Sequence, residues 1–130
     1  MYQIFILTDD RVLREELRSW ALDCLTRRGL FPQLETPEDL EAAYYRIRTL
    51  QPDLAVVALP GVAGLNAAEH LRALCPDCAL VWCSDLDFSL QAYRLNANYF
   101  ILGPPTMEEL STGLSRWLGM REVNRDGRIL

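Results

Sequence analysis

No lysine occurs among the 130 residues; all thirteen basic side chains are arginine. Chemistry that needs a compact ammonium on a flexible stem is therefore excluded, because a guanidinium is planar and holds its donors in a rigid fork. Between Asp53 and Glu69 the chain carries no acid, so the apolar run Leu54–Leu59 reaches Pro60-Gly61 without a carboxylate that could act as a nucleophile. His70 is the only histidine and Cys75-Pro76-Asp77-Cys78 the only CxxC, so a structural zinc site lacks its second pair of ligands. No apolar stretch approaches the roughly 20 residues of a membrane span. The N-terminus also lacks a basic region followed by an apolar segment and a small-residue cleavage site. Together these absences read as a cytoplasmic protein with no membrane partner.

A redox CxxC belongs where a strand feeds a helix N-terminus, which lowers the thiol pKa. Here the pair follows a helical pattern and precedes an apolar run, so the four cysteines read as ordinary loop and core thiols. Half the residues are apolar and 24% are charged, a globular mix in a length that suits one core. The net charge of −5 disfavours direct nucleic-acid binding by this domain.

Short apolar runs alternate with helical patterns. Tyr2–Leu7 reads as a strand, and Val12, Leu13, Leu17, Trp20, Ala21, Cys24 and Leu25 recur at helical spacing up to Gly29. Phe31–Glu35 reads as a weak edge strand, and Thr36-Pro37-Glu38-Asp39 as the cap and acidic first turn of a helix running to Leu50. Leu54–Leu59 is continuously apolar, as a strand covered on both faces is. A third helix is marked by Leu65, Ala68, Leu71 and Leu74, and a fourth strand by Ala79–Cys83. A polar helix over Leu86–Leu95, a strand at Tyr99–Leu102 and a helix capped by Thr106 and running through Leu118 complete the pattern. The spacing predicts an α/β fold: a flavodoxin-like, doubly wound five-stranded parallel sheet in the order 2-1-3-4-5, with helices on both faces. Its functional crevice lies at the carboxyl ends of strands one and three, at Leu7-Thr8-Asp9-Asp10 and Ala58-Leu59-Pro60. Residues 1–120 read as the domain. Residues 121–130, polar and without helical periodicity, read as a tail or the start of a linker to an output domain.

Several motifs occur in family-like order and spacing: Asp9-Asp10, Pro52-Asp53-Leu54, Leu59-Pro60-Gly61 with Gly64, Ser84, and Phe100-Ile101-Leu102-Gly103-Pro104. By these the chain resembles, over essentially its whole length, a CheY-like receiver domain of a two-component response regulator. Ala92–Ala97 and Arg14-Glu15-Glu16-Leu17 look most similar to receivers that precede a LytTR-type DNA-binding domain. The resemblance implies a signalling module rather than an enzyme. An active receiver phosphorylates an aspartate at the end of strand three, with Mg²⁺ held by acids after strand one. A Thr or Ser after strand four and a Lys before the strand-five proline contact the phosphoryl oxygens. Such transfer relies on positioning and charge neutralisation.

Carried onto this chain, the scheme meets Ala58 at the acceptor position when counted from Pro52, Val56 when counted back from Pro60, and Gly103 at the lysine position. The two counts differ because the segment from Pro52 to Pro60 is about two residues shorter than the pattern the resemblance implies. The expectation is a degenerate receiver whose phosphorylation site is reduced to Ala58, Ser84 and Gly103. Asp53 is expected at the opposite end of its strand. Asp9 and Asp10 have two readings, as a weak Mg²⁺ site or with Asp9 capping the first helix and Asp10 favoured by its N-terminal dipole. Ser84 is a remnant or a cap, and Phe100 a switch aromatic or a plain strand aromatic. Beyond the weak Mg²⁺ option no cofactor is expected. The remaining task is protein association, with a partner or as a homodimer, through helix four, strand five and helix five, where Tyr93, Arg94, Asn98, Glu108, Glu109, Ser111, Thr112 and Arg116 are candidates. Two alternatives remain: an active receiver with an unorthodox acceptor such as Asp9 or Asp85, and a flavodoxin-fold cofactor binder. The latter is opposed by an acidic first loop without a phosphate cradle.

Overall fold

Continuous apolar runs form the middle of a parallel sheet and amphipathic runs form its two helical layers. The computed structural model is described for residues 1–125, with side chains through Arg121. In chain order the elements are β1 (Gln3–Thr8), α1 (Arg11–Arg27), β2 (Gln33–Glu35), α2 (Leu40–Leu50), β3 (Leu54–Ala58), α3 (Gly61–Leu74), β4 (Ala79–Ser84), α4 (Ser89–Arg94), β5 (Tyr99–Leu102) and α5 (Met107–Arg125). All pairings are parallel and the strand order is β2-β1-β3-β4-β5, the expected flavodoxin-like arrangement.

Residues of β3 alternate between two cores because successive side chains of a strand point to opposite faces. Leu54, Val56 and Ala58 pack with α1 and α5, against Leu17, Leu25, Leu114 and Trp117. Ala55 and Val57 pack with α2 and α3, against Ile47, Ala68 and Leu71. Both faces are covered, which is why this run carries no alternating polar residue.

Several local expectations are corrected. α2 begins at Leu40, with Asp39 rather than Thr36 as its cap, the Asp39 carboxylate accepting from Glu41 N. α3 begins at Gly61, four residues before the first apolar marker, because Gly61 takes φ +60 and turns the chain directly from β3 into the helix. α4 is shorter than Leu86–Leu95, since Ser84 Oγ and the Asp87 carboxylate accept backbone N–H groups of Leu86 and Ser89 and hold the preceding residues in turns. α5 continues through Arg125, so the stretch from 121 that was expected to leave the domain as a linker is helical that far; residues 126–130 lie outside the described residues. Arg121 fastens this helix to the floor of the sheet, its guanidinium over the Tyr2 ring at 4.7 Å and 3.5 Å from Asp53 Oδ1.

The CxxC turn is organised by Arg72, which donates to the carbonyls of Leu95, Cys75, Pro76 and Cys78. All four cysteines are free, and Cys75, Cys78 and Cys83 are buried. Burial pushes the Cys78 thiol up to about 12, helped by Cys75 and opposed by Arg72. Burial, with the Glu109 charge, does the same to Cys83, also to about 12. Iodoacetamide at pH 8 is therefore expected to reach only half-buried Cys24 in the folded protein and all four thiols in urea, as read by intact mass. Unfolded thiols ionise near 9.0 while these two hold their protons. Their contribution to stability is thus complete below pH 9 and is lost as pH rises from 9 towards 12.

Candidate functional site

The carboxyl ends of β1, β3, β4 and β5 open into a cleft of about 270 Å³. Asp9, Asp10 and Leu13 line it from the first strand and helix, Ala58, Leu59 and Pro60 from β3, Cys83, Ser84 and Asp85 from β4, and Gly103, Pro104 and Pro105 from β5. Of the residues quoted for the crevice, Asp9, Asp10, Ala58, Leu59 and Pro60 are thus brought together, whereas Leu7 and Thr8 are buried and do not line it. Of the two acceptor alignments, only Ala58 stands in the cleft, 7% exposed at the end of β3. Val56 is fully buried in the core shared with α1 and α5.

Asp10, not Asp9, is the α1 cap: its Oδ1 accepts from Val12 N at 2.9 Å and Leu13 N at 3.1 Å. Asp9 is exposed beside it. Asp53 lies at the far end of β3, where Oδ2 accepts from Gln3 N at 2.8 Å. Ser84 is buried and its Oγ accepts from Leu86 N at 3.1 Å, so it shapes the turn before α4 without capping the helix itself. Gly103 takes φ +95, with open space where a Cβ would stand, and donates its N–H to Ser84 O at 2.8 Å. Phe100 is half-buried and meets Trp82 edge-on at 5.4 Å.

Two contributions escaped sequence reading. Asp85 reaches across the cleft and accepts from Gly61 N at 2.8 Å, capping α3, whose own cap residue, Pro60, has no side-chain hydrogen bond. This joins the β3–α3 and β4–α4 connections. Arg14 is only 8% exposed and donates from Nη2 to Thr8 O at 3.0 Å, clamping α1 under the end of β1. Neither follows from periodicity; a charged residue in the first turn of α1 normally reads as solvent-facing.

The donor set does not suit Mg²⁺ well. One oxygen of Asp10 and one of Asp85 already accept backbone N–H groups. Among the described residues, no three His, Cys, Asp or Glu side chains are grouped to hold a metal ion. Mg²⁺ in such sites relies on carboxylates together with substrate phosphate.

No protein-family model matches the chain, and no curated protein sequence is significantly similar to it. Solved structures do match. The signal receiver domain of a modulated diguanylate cyclase from Desulfovibrio desulfuricans G20 is similar at 20% identity and TM-score 0.68, over 95% of this chain and 98% of that one. A response regulator from Thermotoga maritima matches at 17% identity and TM-score 0.70, over 92% and 98%. A response regulator receiver domain protein from Clostridium thermocellum matches at 15% and 0.72, over 95% and 98%. Among the described residues no helix is long and apolar enough to cross a membrane. The strand order, the crevice at the carboxyl ends of β1 and β3 and these likenesses together give the chain the CheY-like fold of response-regulator receiver domains.

Proposed function

We propose that this chain is a receiver-fold signalling module, not an enzyme, that works without phosphorylation and acts by protein association in transcription regulation. The observation that carries the reading is Ala58 at the end of β3, facing the cleft where a receiver needs its acceptor carboxylate. Gly103 opposite it offers no cation to a bound oxyanion. A ligand shifts a conformational equilibrium only by its differential affinity for the two states, so a phosphoryl group that is not bound switches nothing.

The association surface is the one formed by α4, β5 and α5. Tyr93 is 81% exposed there, beside exposed Leu90 and Arg94. The α5 candidates divide by helical spacing. Glu108 and Ser111 line the groove against α1 with Trp20 and Asp23, which removes them from the α4 side. Arg116 lies over the Tyr99 ring of β5 at 5.1 Å, with exposed Thr112 one turn earlier. Asn98 is committed internally, accepting from Leu80 N and donating to Met120 Sδ. Tyr93, Arg94, Thr112, Arg116 and half-buried Glu109, which shares the helix face of Thr112 and Arg116, are therefore the residues offered to a partner or second copy. A LytTR-type DNA-binding output belongs to the same proposal.

Incubation with Mg²⁺ and acetyl phosphate is expected to leave the intact mass and the gel-filtration radius unchanged. A donor-dependent phosphoryl adduct that disappears in Asp9→Asn or Asp85→Asn would instead make the chain an active receiver with an unorthodox acceptor.

A further inference from the structure

Three large apolar side chains, Val62, Leu86 and Leu102, are between 47% and 63% exposed. Each is next to a residue lining the cleft or one position removed from it. Leu102 pairs in register with Ser84, Leu86 N donates to Ser84 Oγ, and Val62 follows Gly61, whose N–H is held by Asp85, so all three stand beside the cleft. Exposed apolar groups collected around a concave site mark a surface for a protein partner.

The cleft inside this ring is apolar on its walls, at Leu13, Leu59, Pro60, Pro104 and Pro105, and its charged lining is acidic, at Asp9, Asp10 and Asp85. Among the described residues no cationic side chain lines it, and the chain has no lysine to supply one. A negatively charged recess with apolar walls is complementary to a long basic side chain, which lays an apolar stem along such walls and brings its charge to carboxylates. The net charge of −5 attracts such a group from a distance.

We propose that this end of the domain docks a partner protein through a segment carrying a lysine or arginine between apolar residues. The basic side chain enters the cleft and its apolar neighbours cover the ring. This surface uses none of Tyr93, Arg94, Thr112 and Arg116. The inference rests on the phosphorylation-independent reading, because a phosphoryl group and its metal would compete for the same cleft.

The test is a titration of the ¹⁵N-labelled chain with acetyl-Leu-Lys-Leu-amide and with its norleucine and glutamate counterparts. The Gly61 and Gly103 amides, which bound the cleft, are expected to shift with the lysine peptide, with affinity falling as salt is raised. The norleucine peptide is expected to bind about fivefold more weakly, the effect of one modest ion pair. Asp9→Asn and Asp85→Asn should weaken the lysine peptide similarly. The Asp85 variant keeps a carbonyl to accept from Gly61 N, and the same spectra report whether each variant is folded. Equal binding of lysine and norleucine peptides overturns the inference, as do shifts confined to residues away from the cleft, shifts with MgCl₂ alone, or no shift. A negative peptide titration beside a negative acetyl phosphate assay removes this inference and leaves the phosphorylation-independent reading standing.

Discussion

Replacement of Trp82 by alanine is expected to cost about 3–5 kcal/mol of folding stability, the range for truncating a fully buried large aromatic in a core that collapses incompletely. Trp82 has no exposed surface and sits in the middle of β4, between β3 and β5. Its ring stacks on Phe88 before α4 at 5.5 Å and 13°, and receives Phe100 of β5 edge-on at 5.4 Å and 79°. Strands on both sides hold the site open, so little of the lost volume can be refilled. Aromatic pairs of this geometry add about 0.5–1.5 kcal/mol each beyond their area. Trp82→Phe is expected to cost far less. Among the described residues the indole Nε1 is buried without a hydrogen-bond partner, and a stranded donor carries a penalty of about 1–3 kcal/mol that the smaller ring removes. Urea denaturation of the two variants separates these effects. A Trp82→Ala loss no greater than that of Trp82→Phe would show that the aromatic cluster does not support this layer.

The same cluster gives Phe100 a sufficient structural role. Turning its ring would open contact with Trp82, which ties the residue expected as a switch aromatic to the packing of the β4–α4 connection.

The frame of the fold was legible because its signals are collective. The unbroken apolar run at Leu54–Leu59 is too short for a helix of ordinary length and fits a strand covered on both faces, and five strand-like runs separated by helical patterns leave few topologies. The residues that meet in the cleft were legible for the same reason, since parallel strands bring all their carboxyl ends to one edge. Single hydrogen bonds escaped. Asp9 and Asp10 are adjacent acids before a helix, and only backbone direction makes Asp10 the cap. Pro60-Gly61 reads as a turn, yet the helix starts there because Asp85, 24 positions later, caps it from another loop. Arg14, Arg72 and Arg121 look alike in sequence, but one clamps β1, one gathers the carbonyls of the CxxC turn and one binds the end of α5 to the sheet. Their roles depend on carbonyls and rings that no local pattern announces.

Gly64→Ala tests the tightest of these long-range constraints. In an exposed helix interior this exchange stabilises by about 0.5–1 kcal/mol, because glycine loses more backbone freedom on folding. At Gly64 a Cβ would lie 2.2 Å from Leu59 O and 3.2 Å from Leu59 C. Both are backbone atoms, so no rotamer change relieves the clash; α3 must move away or the end of β3 must twist. A net loss of about 1–3 kcal/mol or more is expected, the usual scale of forced overpacking. Gly119→Ala is the control: Gly119 is an exposed residue of α5 with open space where its Cβ would stand, and the exchange is expected to add about 0.5–1 kcal/mol. Thermal or urea unfolding of both variants reads the difference in sign, and a Gly64→Ala protein as stable as the parent would refute the close approach of α3 to β3. The site depends on that approach. Leu59 and Pro60 form one wall of the cleft and Gly61 receives the Asp85 cap, so a shift of α3 that accommodates a single methyl group also loosens the link between the two loops that close the cleft.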